Sequence, residues 1–377
     1  MTALRITGIR CSIARHANRS QCYSSRSFSS SEFGEFKTGA GFGIVRDRVI
    51  PSYRKNSSTL FQHSADPRTC TIVGAPMTYG QPFVGTDSGP ELLRQAGLRK
   101  MLSALGWRVE DVPDLEFEAL QLSEKSGTFE GNAKNHKLVG AGCEMLANAV
   151  EKTLKQKRFP LILGGDHSIG MGSLAGILRA QPETGVIWID AHADLNTPAL
   201  SESGNMHGMP VGMLMEGVAP DHRQIPGLEW LADGPRLSPD SIVYVGLRDV
   251  DPAERRLIQS LDIAAYTMHE IDRYGIGQVM EMALDHLCAK NPNRPLHLSY
   301  DIDAVDPVLA PATGTTVRGG LTFREAHYVA EAVAYTGNLA SAEIVELNPS
   351  LSCGEGAEAT VELGLQLITS FMGKSII

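Results

Sequence analysis

From about residue 69 onward, short runs of apolar residues alternate with longer stretches in which apolar positions recur at helical spacing. The short runs predict buried β-strands over residues 71–76, 107–112, 160–165, 185–190, 241–247, 263–268, 295–301 and 341–347. The longer stretches predict amphipathic helices, among them residues 89–106, 137–157 and 324–336. Because strands that alternate with helices are typical of βαβ units, the sequence predicts a single three-layer α/β/α domain around a wide, mostly parallel sheet of about eight strands.

Polar residues stand at the carboxyl ends of five of these predicted strands. In chain order they are Asp166 and His167, then Asp190, His192 and Asp194, then Arg248, Asp249 and Asp251, then Asp301 and Asp303, and finally Glu346. In an open parallel sheet, ligands bind at the carboxyl ends of the strands. We therefore expect these side chains to meet at one edge of the sheet.

Two imidazoles and four carboxylates in this set have the chemistry of metal ligands. They are His167, His192, Asp190, Asp194, Asp301 and Asp303. Alternate positions of an extended chain lie on the same side, so D-x-H-x-D and D-x-D can each direct their ligands to one place. Six such ligands are too many for one zinc ion and suit two ions, and the carboxylate majority favours a hard or borderline cation such as Mn²⁺.

Each of these signals has a simpler structural interpretation when it is taken alone. An Asp at a strand end is commonly a turn former or a helix N-cap, and "GGDHS" is equally a strand-to-helix turn with Ser168 as its cap. What favours a metal site is the repetition of such clusters after separate strands of one sheet. Two adjacent metal ions can lower the pKa of a shared water, which suits hydrolysis of a C–N bond or of a phosphoester.

Composition and charge narrow the choice of substrate. The 377 residues carry a formal net charge of −9, so no basic face for nucleic acid is indicated. No window approaches the roughly eighteen apolar residues that a membrane span requires. The polar residues near the predicted strand ends, including Ser203, Asn205, Asp251, Glu254 and Glu346, favour a cation over a phosphate. Six scattered cysteines without C-x-x-C spacing indicate reduced thiols.

The N-terminal segment has the composition of a targeting sequence. Residues 1–31 contain five arginines, many serines and no acidic residue, which predicts a mitochondrial transit peptide and a matrix location. The alternative is a basic tail on a cytoplasmic protein. Residues 32–68 are predicted to form a linker or poorly ordered arm, and residues 69–377 the catalytic domain.

Six stretches of the chain resemble the arginases of the ureohydrolase family. They are residues 73–98, 163–173, 190–211, 246–254, 299–326 and 343–351, which include "LGGDHSIGMGS", "DAHADLNTPALSESGNMHGMPV" and "SYDIDAVDPVLAPATGTTVRGG". The resemblance implies two Mn²⁺ ions per subunit, one bound by His167 and Asp194, the other by His192 and Asp303, with Asp190 and Asp301 bridging them. It further implies that a metal-bridging hydroxide hydrolyses L-arginine to L-ornithine and urea.

The resemblance also implies roles for residues that do not bind metal. Glu346 would hold the guanidinium group, His207 would shuttle a proton, and Thr315 would line the guanidinium end of the pocket. Asp194 would additionally accept a hydrogen bond from the attacking hydroxide. At the other end, Asn196, Ser203 and Asn205 would bind the α-carboxylate, and Asp251 would meet the α-amino group with Glu254 nearby.

Two other functions are compatible with the same metal motifs. Agmatinases and guanidinobutyrases share the metal core, but a ligand without a carboxylate would leave the polar groups of the amino-acid end unpaired. Arginine is therefore the expected substrate. A metal-binding protein without turnover, acting as a regulatory partner in arginine metabolism, is the alternative from a different class. The resemblance to this family also implies a homo-oligomer, either a trimer or a hexamer.

Overall fold

The computed structural model describes residues 60–117 and 131–374. Eight β-strands form one sheet: β1 (Thr69–Ala75), β2 (Arg108–Asp111), β3 (Phe159–Gly164), β4 (Gly185–Ile189), β5 (Ile242–Leu247), β6 (Ala264–Thr267), β7 (Leu296–Asp301) and β8 (Leu339–Val345). All neighbouring pairs are parallel, and the order across the sheet is β2-β1-β3-β8-β7-β4-β5-β6. The predicted parallel α/β architecture is confirmed, and each predicted strand is present.

Nine α-helices connect and cover these strands in the described part of the chain. They are α1 (Gly89–Gln95), α2 (Leu98–Ala104), α3 (His136–Lys155), α4 (Gly170–Ala180), α5 (Pro252–Ser260), α6 (Met268–Tyr274), α7 (Ile276–Cys288), α8 (Phe323–Tyr335) and α9 (Glu355–Phe371). The continuous helix predicted over residues 89–106 is wrong. Gly97 adopts φ +99°, a left-handed conformation that ends α1 and redirects the chain into α2.

Helices cover both faces of the sheet, which gives the predicted three layers. On one face, side chains such as Leu161 and Ile344 pack with α1, α2, α7, α8 and α9; on the other, Ile162 and Trp188 pack with α3 and α4. Helix α4 lies close against α3, since a Cβ on Gly172 would fall 2.6 Å from the carbonyl oxygen of Cys143. The central strands are therefore buried on both sides, as their continuous apolar sequences require.

The connection from β4 to β5 departs from the regular alternation of strand and helix. Residues 190–241 contain only short 3-10 turns and irregular structure, among them the turns Met206–Gly208 and His222–Gln224. Much of this connection is nevertheless buried, including Asn196, Met209 and Leu214. Long irregular connections in compact domains are commonly functional, and this one carries several residues predicted to bind substrate.

Part of the predicted arm packs on the domain. Phe61 is 1% exposed, and its ring makes an edge contact with Trp107 at a centroid distance of 4.7 Å. The predicted transit peptide over residues 1–31 and most of the arm lie outside the described residues, so these boundaries stay predictions. Within the described ranges, no helix is both long and apolar enough to cross a membrane. Cys70, Cys143, Cys288 and Cys353 are free thiols.

Candidate active site

The five strands that end in polar residues are contiguous in the sheet. The order β3-β8-β7-β4-β5 places their carboxyl ends side by side. Strands β7 and β8 enter this group between β3 and β4, although they come last in the chain. The chain therefore reverses its direction of travel across the sheet here, and a reversal of this kind opens a crevice for ligands at the strand ends.

Two overlapping groups of metal-ligating side chains lie in this crevice. His167, Asp190 and Asp194 form one group, and Asp190, His192 and Asp303 form the other. Nδ1 of His167 lies 3.1 Å from Oδ2 of Asp190, 3.0 Å from Oδ2 of Asp194 and 3.1 Å from Oδ2 of Asp301. Nδ1 of His192 lies 3.0 Å from Oδ2 of Asp303 and 3.4 Å from Oδ1 of Asp190. Asp190 thus joins the two groups.

The environment of His167 fits the binding of cations. Its Nε2 lies 2.9 Å from Oγ of Ser299, whereas its Nδ1 is buried and forms no hydrogen bond of acceptable geometry. A proton on Nε2, donated to Ser299, leaves the Nδ1 lone pair among three carboxylate oxygens. Because a neutral imidazole is repelled in that arrangement, the site calls for positive charge, either a second proton on His167 or divalent cations between the imidazoles and the carboxylates.

The carboxylates show the same electrostatic conflict. Burial, together with the charge of Asp190, raises the pKa of Asp194 to about 6. Burial and the charges of Asp303 and Asp190 raise the pKa of Asp301 well above its ordinary value. Asp190 is the exception, because burial is outweighed there by the hydrogen bonds and charges of His167 and His192, which lower its pKa. The four aspartates therefore need positive charge nearby to be ionised together. Two divalent cations would remove this conflict, and oxygen and imidazole donors suit a hard or borderline ion.

Neighbouring groups hold the aspartates in place. Nε1 of Trp188 donates to Oδ2 of Asp190 over 3.0 Å, and its ring stacks on His167 at a centroid distance of 4.2 Å. The backbone amides of His192 and Asp303 donate to Oδ1 of Asp190 and of Asp301, each over 2.7 Å. Asp301 is thereby also the N-cap of a short turn at residues 302–304. The cap uses Oδ1, so it does not compete with the predicted ligand role for Oδ2, which faces His167.

Glu346 lies beside this cluster and is 1% exposed. Its Oε1 accepts a hydrogen bond from the amide of His167 over 2.7 Å, and its Oε2 accepts one from Nε2 of Gln81 over 2.7 Å. Glu346 has φ +66° and Asp194 has φ +50°, conformations that a residue with a side chain seldom adopts. Two such residues at one site indicate a backbone shaped by function, with the strain held by the surrounding hydrogen bonds.

His207 connects Glu346 to the open cavity. Nδ1 of His207 lies 3.4 Å from Oε1 of Glu346, and the His207 amide donates to the carbonyl of Gly80 over 3.1 Å. Burial alone would lower the pKa of His207, but the hydrogen bond to Glu346 and the charges of Glu346, Asp194 and Asp166 raise it above its ordinary value. His207 can therefore carry a proton next to the metal-ligating groups.

A cavity of about 150 Å³ joins the cluster to the solvent. It is lined by polar side chains and one glycine, namely His167, His192, Asp194, Asn196, Ser201, Ser203, Asn205, His207, Gly208, Asp249, Asp251, Glu254, Asp301 and Thr315. Among the described residues that form this wall there is no lysine or arginine. The acidic lining is suited to a cationic ligand.

The structure thus brings all the predicted site residues to one place. Glu346 does not line the cavity itself but lies 3.4 Å from the lining residue His207. Thr315 donates to Oδ2 of Asp303 over 3.0 Å. Asn196 Nδ2 donates to Oδ2 of Asp251 over 2.9 Å, which links the loops after β4 and β5. Glu254 also links these loops, since its Oε1 accepts from the amide of Leu195 over 2.9 Å.

Two residues of this site, Gln81 and Trp188, escaped the sequence reasoning, and both contact predicted site residues as described above. Asp166 was expected at this edge of the sheet but was given no role; it accepts hydrogen bonds from the amides of Gly80 and Ser168 over 2.8 and 3.0 Å. Trp188 could have been found, because it lies two residues before Asp190 on the same side of a strand. Nothing in the sequence pattern near Gln81 indicates a partner 265 positions away.

Comparison with known proteins agrees with this geometry. The model of the arginase family matches residues 68–373. An arginase of Glaciozyma antarctica is 43% identical over 83% of this chain and 90% of its own length, and the mitochondrial arginase-2 of Homo sapiens is 43% identical over 81% and 84%. The crystal structure of an arginase from Bacillus subtilis superposes with a TM-score of 0.72 at 39% identity, covering 82% of this chain and 100% of that one. The fold and the site are those of a metal-dependent hydrolase. The chain belongs to the arginase family.

Proposed function

We propose that this protein is an arginase, which hydrolyses the guanidino C–N bond of L-arginine to give L-ornithine and urea. One observation carries the proposal. Two metal-ligating groups joined by Asp190 open into an acidic cavity that also holds His207 and the predicted amino-acid-binding residues, with Glu346 in contact with His207. Membership in the arginase family supports the reaction.

The metal ions that we propose are two Mn²⁺ per subunit. His167 and Asp194 would hold one ion, His192 and Asp303 the other, and Asp190 and Asp301 would contact both. The donor set of four carboxylates and two imidazoles, without sulfur, supports this choice. When bound, two such ions lower the pKa of a water between them, so that a nucleophile is available near neutral pH.

Glu346, His207 and Asp194 would act on the reacting end of the substrate. Each oxygen of Glu346 retains acceptor capacity beyond the hydrogen bond that it accepts from His167 or Gln81, so the carboxylate can receive N–H groups of a guanidinium ion. Asp194 would accept a hydrogen bond from the attacking water. His207 would give a proton to the departing nitrogen, which its raised pKa favours. Thr315 would line this end of the pocket and steady Asp303.

Asn196, Ser203 and Asn205 would bind the α-carboxylate of arginine, and Asp251 its α-amino group. All four side chains line the cavity. Glu254 supports this end by holding the amides of Leu195 and Asp251 together, with hydrogen bonds of 2.9 and 3.0 Å. A ligand that lacked the carboxylate would leave the donors of Asn196, Ser203 and Asn205 without this partner, at a cost of about 1–3 kcal/mol each. This is the reason for proposing arginine over agmatine.

The proposed cellular setting is the mitochondrial matrix, with a homo-oligomer, trimeric or hexameric, as the assembly. The basic, acid-free residues 1–31 and the mitochondrial human relative support the location, with the cytoplasm as the alternative. A fluorescent reporter fused to residues 1–40 would test the location, and a diffuse cytosolic signal would contradict it. Light scattering on the purified protein would test the assembly, and a monomer would contradict it.

The function is tested by measuring urea and ornithine release from L-arginine while Mn²⁺ is added to metal-free protein. We expect release to saturate near two ions per subunit and agmatine to be a far poorer substrate. Protein that binds two ions and hydrolyses neither compound would instead be a metal-binding partner without turnover. Faster hydrolysis of agmatine would contradict the assignment of arginine.

A further inference from the structure

We propose that Lys134 is a specificity-determining residue for the α-carboxylate of the substrate, through its positive charge and through its contact with Asn205. The inference rests on the proposed function and adds to it a group outside the cavity wall. Nζ of Lys134 donates to Oδ1 of Asn205 over 3.2 Å. Asn205 lines the cavity, whereas Lys134 is exposed beside it.

This contact determines which half of the Asn205 amide can face a ligand. Because Oδ1 accepts from the ammonium group of Lys134, the amide nitrogen Nδ2 is left to donate elsewhere. A carboxylate has only acceptors, so it requires the Nδ2 side. Lys134 therefore orients Asn205 as a donor for an anionic group.

Within the described part of the chain, the charge of Lys134 is also unpaired. Among residues 60–117 and 131–374, no carboxylate lies within ion-pair distance of its Nζ. The nearby cavity wall carries Asp249, Asp251 and Glu254. These carboxylates attract the α-amino group of an amino acid but repel its α-carboxylate. A cation at the Asn205 side of the cavity offsets that repulsion where the carboxylate would bind.

The backbone holds Lys134 against the loop that carries Asn205. The amide of Lys134 donates to the carbonyl of Gly204 over 2.8 Å. Nδ2 of Asn132 donates to the carbonyls of Ser201 and Glu202 over 3.1 and 2.9 Å. These hydrogen bonds hold the segment before α3 against the loop over residues 198–205. They keep Lys134 next to Asn205.

The test compares L-arginine with L-argininamide, which keeps the guanidinium and α-amino groups and replaces the carboxylate by a neutral amide. We expect Lys134→Gln to raise KM for arginine about threefold to tenfold while kcat stays unchanged. Argininamide should inhibit the Lys134→Gln variant as strongly as it inhibits the wild type, or more strongly. Lys134→Met, which removes the donor as well, should raise KM further, and Lys134→Arg should restore it.

Two controls separate this role from a structural one. Lys290→Gln removes another exposed lysine, which precedes β7 at the opposite end of the sheet, and should leave both ligands unaffected. The KM difference between wild type and Lys134→Gln should also shrink in high salt, because exposed charges are screened.

Unchanged KM in Lys134→Gln and Lys134→Met, or equal weakening of arginine and argininamide, would overturn the inference. Wild-type protein that releases no urea from arginine would instead overturn the proposed function and this inference with it.

Discussion

The two ends of the cavity are built in different ways. At the metal end, the six candidate ligands stand at or just after the tips of β3, β4 and β7, and His167, Asp190 and Asp303 are at most 1% exposed. At the amino-acid end, Ser203 and Asn205 lie on the irregular connection after β4, where Ser203 is exposed and Asn205 half-buried. The metal end is positioned by the sheet, whereas the amino-acid end depends on hydrogen bonds between loops.

This difference has an electrostatic side. The metal end concentrates buried carboxylates whose mutual repulsion bound cations would relieve. The amino-acid end has polar groups near water, where each contact is worth less and one loss is more easily tolerated. We therefore expect substitutions at the metal end to abolish the reaction and those at the amino-acid end to alter mainly substrate affinity.

The strongest test removes the carboxylate shared by the two metal-ligating groups. Asp190→Ala should lower kcat at least about 10⁴-fold, because the ionised water that a bound metal pair would supply near neutral pH is lost. Metal analysis should show fewer than two ions per subunit. A variant that keeps two ions and high activity would show that Asp190 does not join the metal sites.

His207 lies between the two ends, and its removal should affect turnover without affecting metal content. His207→Asn should lower kcat about 10²- to 10³-fold, the scale of a lost proton-transfer group. KM should change far less. Steady-state kinetics with metal analysis of the same sample would check this, and unchanged turnover would exclude the proton-transfer role.

The amino-acid end is tested by Asn205→Ala combined with Asp251→Asn, which keeps an N-cap for α5. KM for arginine should rise about a hundredfold, since two polar contacts with the substrate are lost. Both metal ions should remain bound. Loss of metal in this variant would show that the two ends are not independent, and unchanged KM would contradict the substrate roles of these residues.

Substitution of Gln81 tests whether its hydrogen bond positions Glu346, the residue proposed to hold the guanidinium group. Gln81→Leu frees Oε2 of Glu346 from a buried 2.7 Å hydrogen bond, so kcat/KM for arginine should fall about tenfold. Gln95→Leu is a matched control, because Gln95 donates to Glu91 over 2.8 Å on an exposed helix. The control should retain full activity. Equal activity in both variants would mean that Gln81 does not position Glu346.

The smallest expected effect concerns the stability of the folded protein at acid pH. It is measured on metal-free protein, so that loss of metal does not contribute to the change in Tm. Burial, with the charge of Arg236, lowers the pKa of His222 to about 4. Between its ordinary value near 6.5 and about 4, only the unfolded chain binds a proton at this residue, so the free energy of unfolding falls as the pH falls through that window. In metal-free protein, His222→Gln should therefore lose less Tm than wild type between pH 7 and pH 4.5. An equal loss of Tm in the two proteins would show that His222 becomes protonated in the folded state without destabilising it.

Much of the fold was predictable because its signals are local. Eight buried strands show as apolar runs, and α3 shows as a helical pattern over residues 137–157 against the observed His136–Lys155. The break at Gly97 was missed because the apolar periodicity continues on both sides of it. No individual helix was assigned to residues 191–240, where the structure has short 3-10 turns and irregular chain.

The sequence by itself determined which side chains are the candidate metal ligands, since D-x-H-x-D and D-x-D place them on one side of the chain at the ends of buried strands. The order of the strands was decided by the tertiary structure, which brings β7 and β8 between β3 and β4. The tertiary structure alone also brought Gln81 to Glu346 and Lys134 to Asn205. Local patterns report burial and periodicity, whereas such contacts depend on the packing of segments far apart in the chain, which those patterns do not specify.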